Sequence, residues 1–283
     1  MKPIWRDIAV FIDASPEGEI LAGHAVRLAA QHQAHLVAVY GLSRHDEGAR
    51  MPGYIRGRAA ISSLIEREKA EETRKVVRAG QRFAELTAGS GITSEFRIVW
   101  RDDMGDEKVL RALHCDLAIA AHPRLAGLPT SWSAERILID SGLPVLMIPQ
   151  GWQGDTIGQK IVIAWNRSRE ARRVVSDAMP FIEAAQSTTI LTVDAGRDPD
   201  YYGDDPGSHL RQHLARHDVS AEVTNVSSAG LSVAETILQQ TSQAGADLLV
   251  VGAYSRPRAS EILFGGTTRS LIGEARIPML MSR

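Results

Sequence analysis

The amino-acid sequence repeats itself, and that repeat limits the folds open to it more than any single motif does. Near the start, Ile8-Ala9-Val10-Phe11-Ile12 is a short apolar run stopped by Asp13-Ala14-Ser15-Pro16, after which Leu21, Ala25, Leu28 and Ala29 recur at helical spacing. An apolar run this short, ended by turn residues and followed by a 3.6-residue period, predicts strand, turn and helix. The same pattern returns later. Ile161-Val162-Ile163-Ala164-Trp165 is stopped by Asn166-Arg167-Ser168, and Val174, Val175, Ala178 and Ile182 mark one helical face. Ile8, Asp13, Ser15 and Glu17 fall in register with Ile161, Asn166, Ser168 and Glu170 at one constant offset.

The rest of the chain follows suit. Leu36 to Tyr40 is answered by Ile190 to Val193, Asp116 to Ala120 by Asp247 to Val251, and Leu143-Pro144-Val145-Leu146-Met147 by Ile277-Pro278-Met279-Leu280-Met281. Ser94 to Trp100 and Ser220 to Val226 supply one more strand in each half, and both read as central strands preceded by helices. Each half is therefore expected to run β-α-β-α-β-α-β-α-β. Short apolar strands alternating with helices call for a parallel sheet covered on both faces, connected by right-handed crossovers. The fold class is α/β, with two tandem doubly wound five-stranded domains over residues 1–150 and 156–283. The boundary falls near Gln150-Gly151-Trp152-Gln153-Gly154-Asp155, a polar, Gly-containing stretch without periodicity. The halves differ in two places. Glu66 to Arg82 has the charge spacing of a solvated amphipathic helix, whereas Asp198 to Ser208 is a Pro/Gly/Asp loop.

Composition narrows the function. A chain of 283 residues with 44% hydrophobic and 23% charged residues is globular, and no apolar run approaches the roughly 20 residues of a membrane-spanning helix. A net charge of −2 with both signs mixed gives no footprint for nucleic acid or an anionic membrane, which leaves small molecules or proteins as partners. The first residues run straight into a strand with no secretory stretch, so the cytoplasm is the expected location. The single cysteine, Cys115, precedes an apolar run and reads as an inert buried thiol. His209, His213 and His217 share a helical face at i, i+4 and i+8, but no acidic or cysteine ligand stands at matching spacing, so they read as a solvated helix edge. No metal site and no catalytic residue is expected. The G-x-G-x-x-G fingerprint, the P-loop and the G-x-S-x-G elbow are all absent.

In open parallel sheets, ligands bind outside the carboxyl ends of the strands, where the strand order reverses. The loops after strands one and four of each half therefore matter most. In the second half the latter loop runs from Gly252 through Tyr254, Ser255, Arg256 and Arg258 to Gly265-Gly266-Thr267-Thr268, with a helix following through Leu271 and Ile272. Glycines before a helix let backbone N–H groups approach an anion, and the helix end and a Thr267 or Thr268 hydroxyl add donors. In the first half, counting back from Pro144 as from Pro278, Ser131 and Trp132 replace Gly265 and Gly266. A tryptophan there is expected to fill the space a phosphate needs.

The spacing Gly252-x2-Ser255-x9-Gly265-Gly266 resembles the nucleotide loop of the universal stress protein family, G-x2-G-x9-G-[ST]. The resemblance extends over the chain as two copies, through the strand-one endings and the terminal Pro-apolar strands. It implies an adenine-nucleotide-hydrolase-like fold with adenine and ribose near Ala164, Trp165, Asn166 and Val193. It places the phosphates on Gly252, Ser255, Gly265, Gly266 and Thr267, with ATP or another adenine nucleotide and Mg²⁺ as ligands. Asn166 stands where nucleotide-binding members have Asp, and Ser255 where they have Gly. The first half keeps Asp13 but has lost the loop, and is expected not to bind ATP. Single-domain relatives dimerise through strand five, so Val145 to Ile148 and Met279 to Met281 are expected to pair antiparallel within the chain, with further homodimerisation left open. The function implied is adenine-nucleotide sensing in a stress response; the alternatives are a ligand-free partner-binding protein and, less favoured, a weak ATP hydrolase.

Overall fold

A computed structural model describes residues 5–43, 58–101, 110, 113–197, 205–254 and 266–283. The first half contributes β1 (Asp7–Ile12), α1 (Pro16–His32), β2 (His35–Ser43), α2 (Arg58–Thr87), β3 (Ser94–Arg101), β4 (Leu117–His122), α3 (Ala134–Ser141) and β5 (Val145–Pro149). The second contributes β6 (Lys160–Ala164), α4 (Arg169–Asp177), α5 (Met179–Ile182), β7 (Ser187–Val193), α6 (Ser208–Ala215), β8 (Ala221–Val226), α7 (Val233–Gln243), β9 (Leu248–Gly252), α8 (Gly266–Glu274) and β10 (Met279–Ser282). The helix expected between β3 and β4 falls largely outside the described residues, as do residues 198–204 of the Pro/Gly/Asp loop.

The strands form one sheet in the order β3-β2-β1-β4-β5-β10-β9-β6-β7-β8. Each half is thus a parallel five-stranded sheet whose order reverses beside its first strand, between β1 and β4 and again between β6 and β9. The halves meet where β5 and β10 pair antiparallel, Val145 opposite Met281, Leu146 opposite Leu280 and Met147 opposite Met279. All six of these side chains are fully buried. A short, wholly apolar strand left as a sheet edge would expose unpaired backbone and apolar side chains together, and each half covers the other's. Trp5 adds to the junction, lying edge-on to Phe181 of α5 at 4.7 Å between ring centroids.

The expectation of central strands at Ser94 to Trp100 and Ser220 to Val226 is corrected: β3 and β8 are the two outermost strands. Their side chains explain it. Glu95 and Ile98 on β3 and Glu222 and Asn225 on β8 are exposed, whereas Ile8 to Phe11 on β1 are buried throughout. A strand with a neighbour on one side and helices over part of its faces tolerates polar side chains that a central one does not.

Helix α2 carries the charge pattern of Glu66 to Arg82. It turns Ala79 and Phe83 inward and keeps Glu71, Lys75 and Arg82 in solvent, with Lys75 Nζ 2.8 Å from Glu72 and 3.5 Å from Glu71. Serine caps start the helices that begin nearest the strand ends. Ser15 Oγ accepts from Gly18 N, Ser168 Oγ from Ala171 N, and Ser232 forms a reciprocal capping box with Glu235.

Candidate functional site

The order of strands reverses between β1 and β4 and between β6 and β9, the places where doubly wound sheets carry a crevice at their carboxyl ends. In the first half it is closed by the chain itself. Asp13, just beyond β1, accepts hydrogen bonds from Ser15 N at 3.0 Å, Ser15 Oγ at 2.5 Å and Gly127 N at 2.8 Å. The last of these ties the β4 loop down onto the end of β1. A Cβ at Gly127 would lie 2.8 Å from Asp13 Oδ2, so the close approach depends on glycine. Arg124 pins the same loop by donating to the carbonyls of Leu125, at 2.8 Å, and Leu128. Asp13 thus serves its own fold, a role that its position alone did not disclose.

Trp132 completes the closure. Its side chain is 1% exposed and meets Phe11 of β1 edge-on at 5.3 Å. A Cβ on Gly41, near the end of β2, would come within 2.9 Å of the indole, so that glycine makes the room. The expectation that Trp132 fills space in the crevice therefore needs a change of place: the ring lies inward against the ends of β1 and β2. On the far side of Asp13, between the start of α1 and α2, lies a cleft of about 170 Å³ with Arg82 and Glu19 paired at its rim.

The second half carries the residues singled out above at the ends of three adjacent strands. Ala164 ends β6, Val193 ends β7 and Gly252 ends β9. Trp165 N continues the ladder by donating to Leu191 O at 2.8 Å, and its indole is half-buried. Asn166 Oδ1 accepts from Ser168 N at 3.1 Å, the neutral counterpart of the Asp13 turn. Gly252 has a packing reason of its own. A Cβ there would lie 2.4 Å from Ala171 N in the first turn of α4, so strand and helix touch only because the residue is glycine. Gly266 and Thr267 open α8 and are exposed, while Thr268 turns inward and its Oγ1 accepts from Tyr254 N at 3.4 Å. Of the two hydroxyls the sequence offered as phosphate donors, that of Thr268 is turned inward to Tyr254 N and that of Thr267 belongs to an exposed residue. Tyr254 holds a left-handed φ of 58°, and burial, with Glu135 adding to it, pushes its phenol up to about 12. Ser255 and Gly265 lie outside the described residues.

Among the described residues no group of three or more His, Cys, Asp or Glu is placed to hold a metal ion. His213 and His217 are neighbours, their rings 4.9 Å apart, and His217 Nδ1 lies 3.7 Å from Glu183, a partner that sequence spacing did not reveal. Burial pushes the Cys115 thiol up to about 12, which leaves it protonated and unreactive near neutrality. No described helix is long and apolar enough to cross a membrane.

The fold is that of a tandem doubly wound α/β protein, with the first strand-end region closed by Asp13, Gly127 and Trp132 and the second bordered, among the described residues, by Ala164, Trp165, Asn166, Val193 and Gly252. Residues 158–283, the second half of the chain, match the model of the universal stress protein family. The whole chain matches the fold of a universal stress protein from Archaeoglobus fulgidus, with a TM-score of 0.72, 14% identity and 98% of each chain covered. It also matches a functionally unknown protein of Pseudomonas aeruginosa, with a TM-score of 0.59 and 18% identity over 98% of this chain and 92% of that one. No curated protein sequence matches the chain.

Proposed function

We propose that the second unit, residues 156–283, binds an adenine nucleotide at the ends of β6, β7 and β9, and that the first unit, residues 1–150, does not. One comparison within the chain carries this reading. Phe11 pairs with Val39, two residues before Gly41, and Ala164 pairs with Leu191, two residues before Val193. Trp132 stands as far ahead of Pro144 as Gly266 stands ahead of Pro278. The trio Phe11, Gly41 and Trp132 of the first half thus corresponds to Ala164, Val193 and Gly266 of the second. Two aromatic side chains are replaced by a methyl group and a hydrogen, against the single gain of an isopropyl group where Gly41 becomes Val193, and a Cβ on Gly266 would meet no described atom within 4 Å.

In this reading the base and ribose sit by Ala164, Trp165, Asn166 and Val193. Backbone N–H groups at the start of α8 bind the phosphates, which bring Mg²⁺ with them, and Gly252, Ser255, Gly265 and Thr267 are the positions that the family resemblance assigns to the same role. Asn166 can accept from a ribose hydroxyl, though without the charge of a carboxylate. Nucleotide occupancy would report on the cell's adenylate state, the sensing role assigned to the chain here. A ligand-free, partner-binding role is the second reading, favoured by the packing contact that accounts for Gly252 without any phosphate.

Calorimetric titration of the intact chain with ATP and Mg²⁺ tests the proposal, alongside Gly266→Trp, the residue of the first half placed in register. Saturation near one nucleotide per chain, lost in the variant, is the expected result. No heat from the unaltered chain sinks it in favour of the partner-binding reading.

A further inference from the structure

The geometry points to Trp132 as a tethered ligand: its indole occupies, in the first half, a latent site shaped for a planar bicyclic heteroaromatic ring. This extends the reading of the second half as a base site, because the indole is placed against the first half's counterparts of Ala164 and Val193. Three observations carry it. The ring is 1% exposed and sits edge-on to Phe11, as a ligand would sit in an aromatic-walled slot. Gly41 gives up its side chain to the ring, since a Cβ there would come within 2.9 Å of it. The indole Nε1 is buried with no hydrogen-bond partner among the described residues. A tryptophan that belonged to the core by ancestry would be expected to have an acceptor for that proton. A ring filling a slot lined for something else leaves it orphaned.

The tether also explains why the slot does not empty. The indole hangs from a short 3-10 turn, Thr130–Trp132, which leads through the Ser133 cap into α3, and the loop before it is pinned by Asp13 and Arg124. The effective concentration of a ring held on so short a tether exceeds that of any free nucleobase in solution. The first half is therefore permanently occupied, and any response to free ligand is confined to the second.

Removing the plug should turn the latent site into an open one. Trp132→Gly in the full chain is expected to melt about 10 °C lower, the scale of a large aromatic deletion from a core. Millimolar indole or benzimidazole should recover several degrees of that loss, with one saturable ring site per chain beyond whatever the unaltered chain shows. Trp132→Leu keeps an apolar side chain in place and serves as the measurable case if the glycine variant does not fold; it should bind both rings more weakly. If a folded variant binds no more of either ring than the unaltered chain does, or binds the non-planar cyclohexanol as tightly, the site is an ordinary core cavity and the inference is overturned. Because the readout uses no nucleotide, this outcome is independent of the ATP titration of the unaltered chain.

Discussion

Replacing Leu280 by alanine should weaken both halves at once. Leu280 lies directly opposite Leu146 across the antiparallel junction, and both side chains are fully buried. Opposed residues in an antiparallel pair hold their Cβ atoms about 5 Å apart, so each leucine forms much of the other's packing surface. Deleting a buried leucine side chain to alanine costs about 2–5 kcal/mol, transfer and cavity terms combined. At roughly 2–4 °C per kcal/mol for a protein of this size class, Leu280→Ala should lower the melting temperature by about 10 °C. Leu146→Ala should do the same. The double variant should lose less than the sum, by about 1 kcal/mol, because the two substitutions empty one shared space. Differential scanning calorimetry with urea titration measures all three. A single transition that moves down in each variant fits a junction that couples the halves. Strictly additive losses, or a single-variant loss below about 1 kcal/mol, would refute the argument that β5 and β10 share one packed seam.

Stability should fall as pH drops below neutrality. His24 Nδ1 accepts from Arg27 Nη2 at 2.7 Å, its ring lies 4.9 Å from Trp152, and burial, followed by the Arg27 charge, holds its pKa below the ordinary 6.5. The folded chain therefore binds fewer protons than the unfolded one near pH 6.5, so unfolding becomes easier as pH falls from 6.5 toward the lowered folded pKa. His32 and His122, both lowered by burial, act in the same direction, and urea melts at pH 7.5 and 5.5 should separate more in the unaltered chain than in His24→Gln. Gly252→Ala should destabilise the chain by about 1–3 kcal/mol without any ligand, since its methyl would meet the first turn of α4; a neutral thermal shift would return that glycine to a purely ligand-binding role. Ser232→Ala removes one side of a capping box and should cost about 1 kcal/mol, readable as a shift of the urea midpoint at unchanged slope.

Much of this molecule was legible before any coordinates. Strands such as Ile161 to Ala164 and Leu248 to Val251 are continuous apolar runs bounded by turn residues, and burial on both faces of a parallel sheet is what such runs require. The pairing of Val145 to Met147 with Met279 to Met281 was implied by the resemblance to single-domain relatives that dimerise through strand five, and covering two wholly apolar edges is the physics that supports it. Polar strands were harder. Ser94 to Trp100 and Ser220 to Val226 gave a strand period but no sign of how many neighbours they had, and sheet position depends on contacts with residues far along the chain.

The candidate site divides along the same line. Sequence by itself determined the repeat, the ten strands, the glycines of the second-half loop and the tryptophan that interrupts their counterpart. Only the tertiary structure decided that Trp132 turns inward against Phe11 and Gly41, that Asp13 is consumed by Gly127, and that Gly252 is required by the first turn of α4. The reason is physical. Periodicity and turn chemistry are local and survive in a linear reading, whereas the space beside a side chain is set by residues from three or four separate segments that meet only when the sheet has formed.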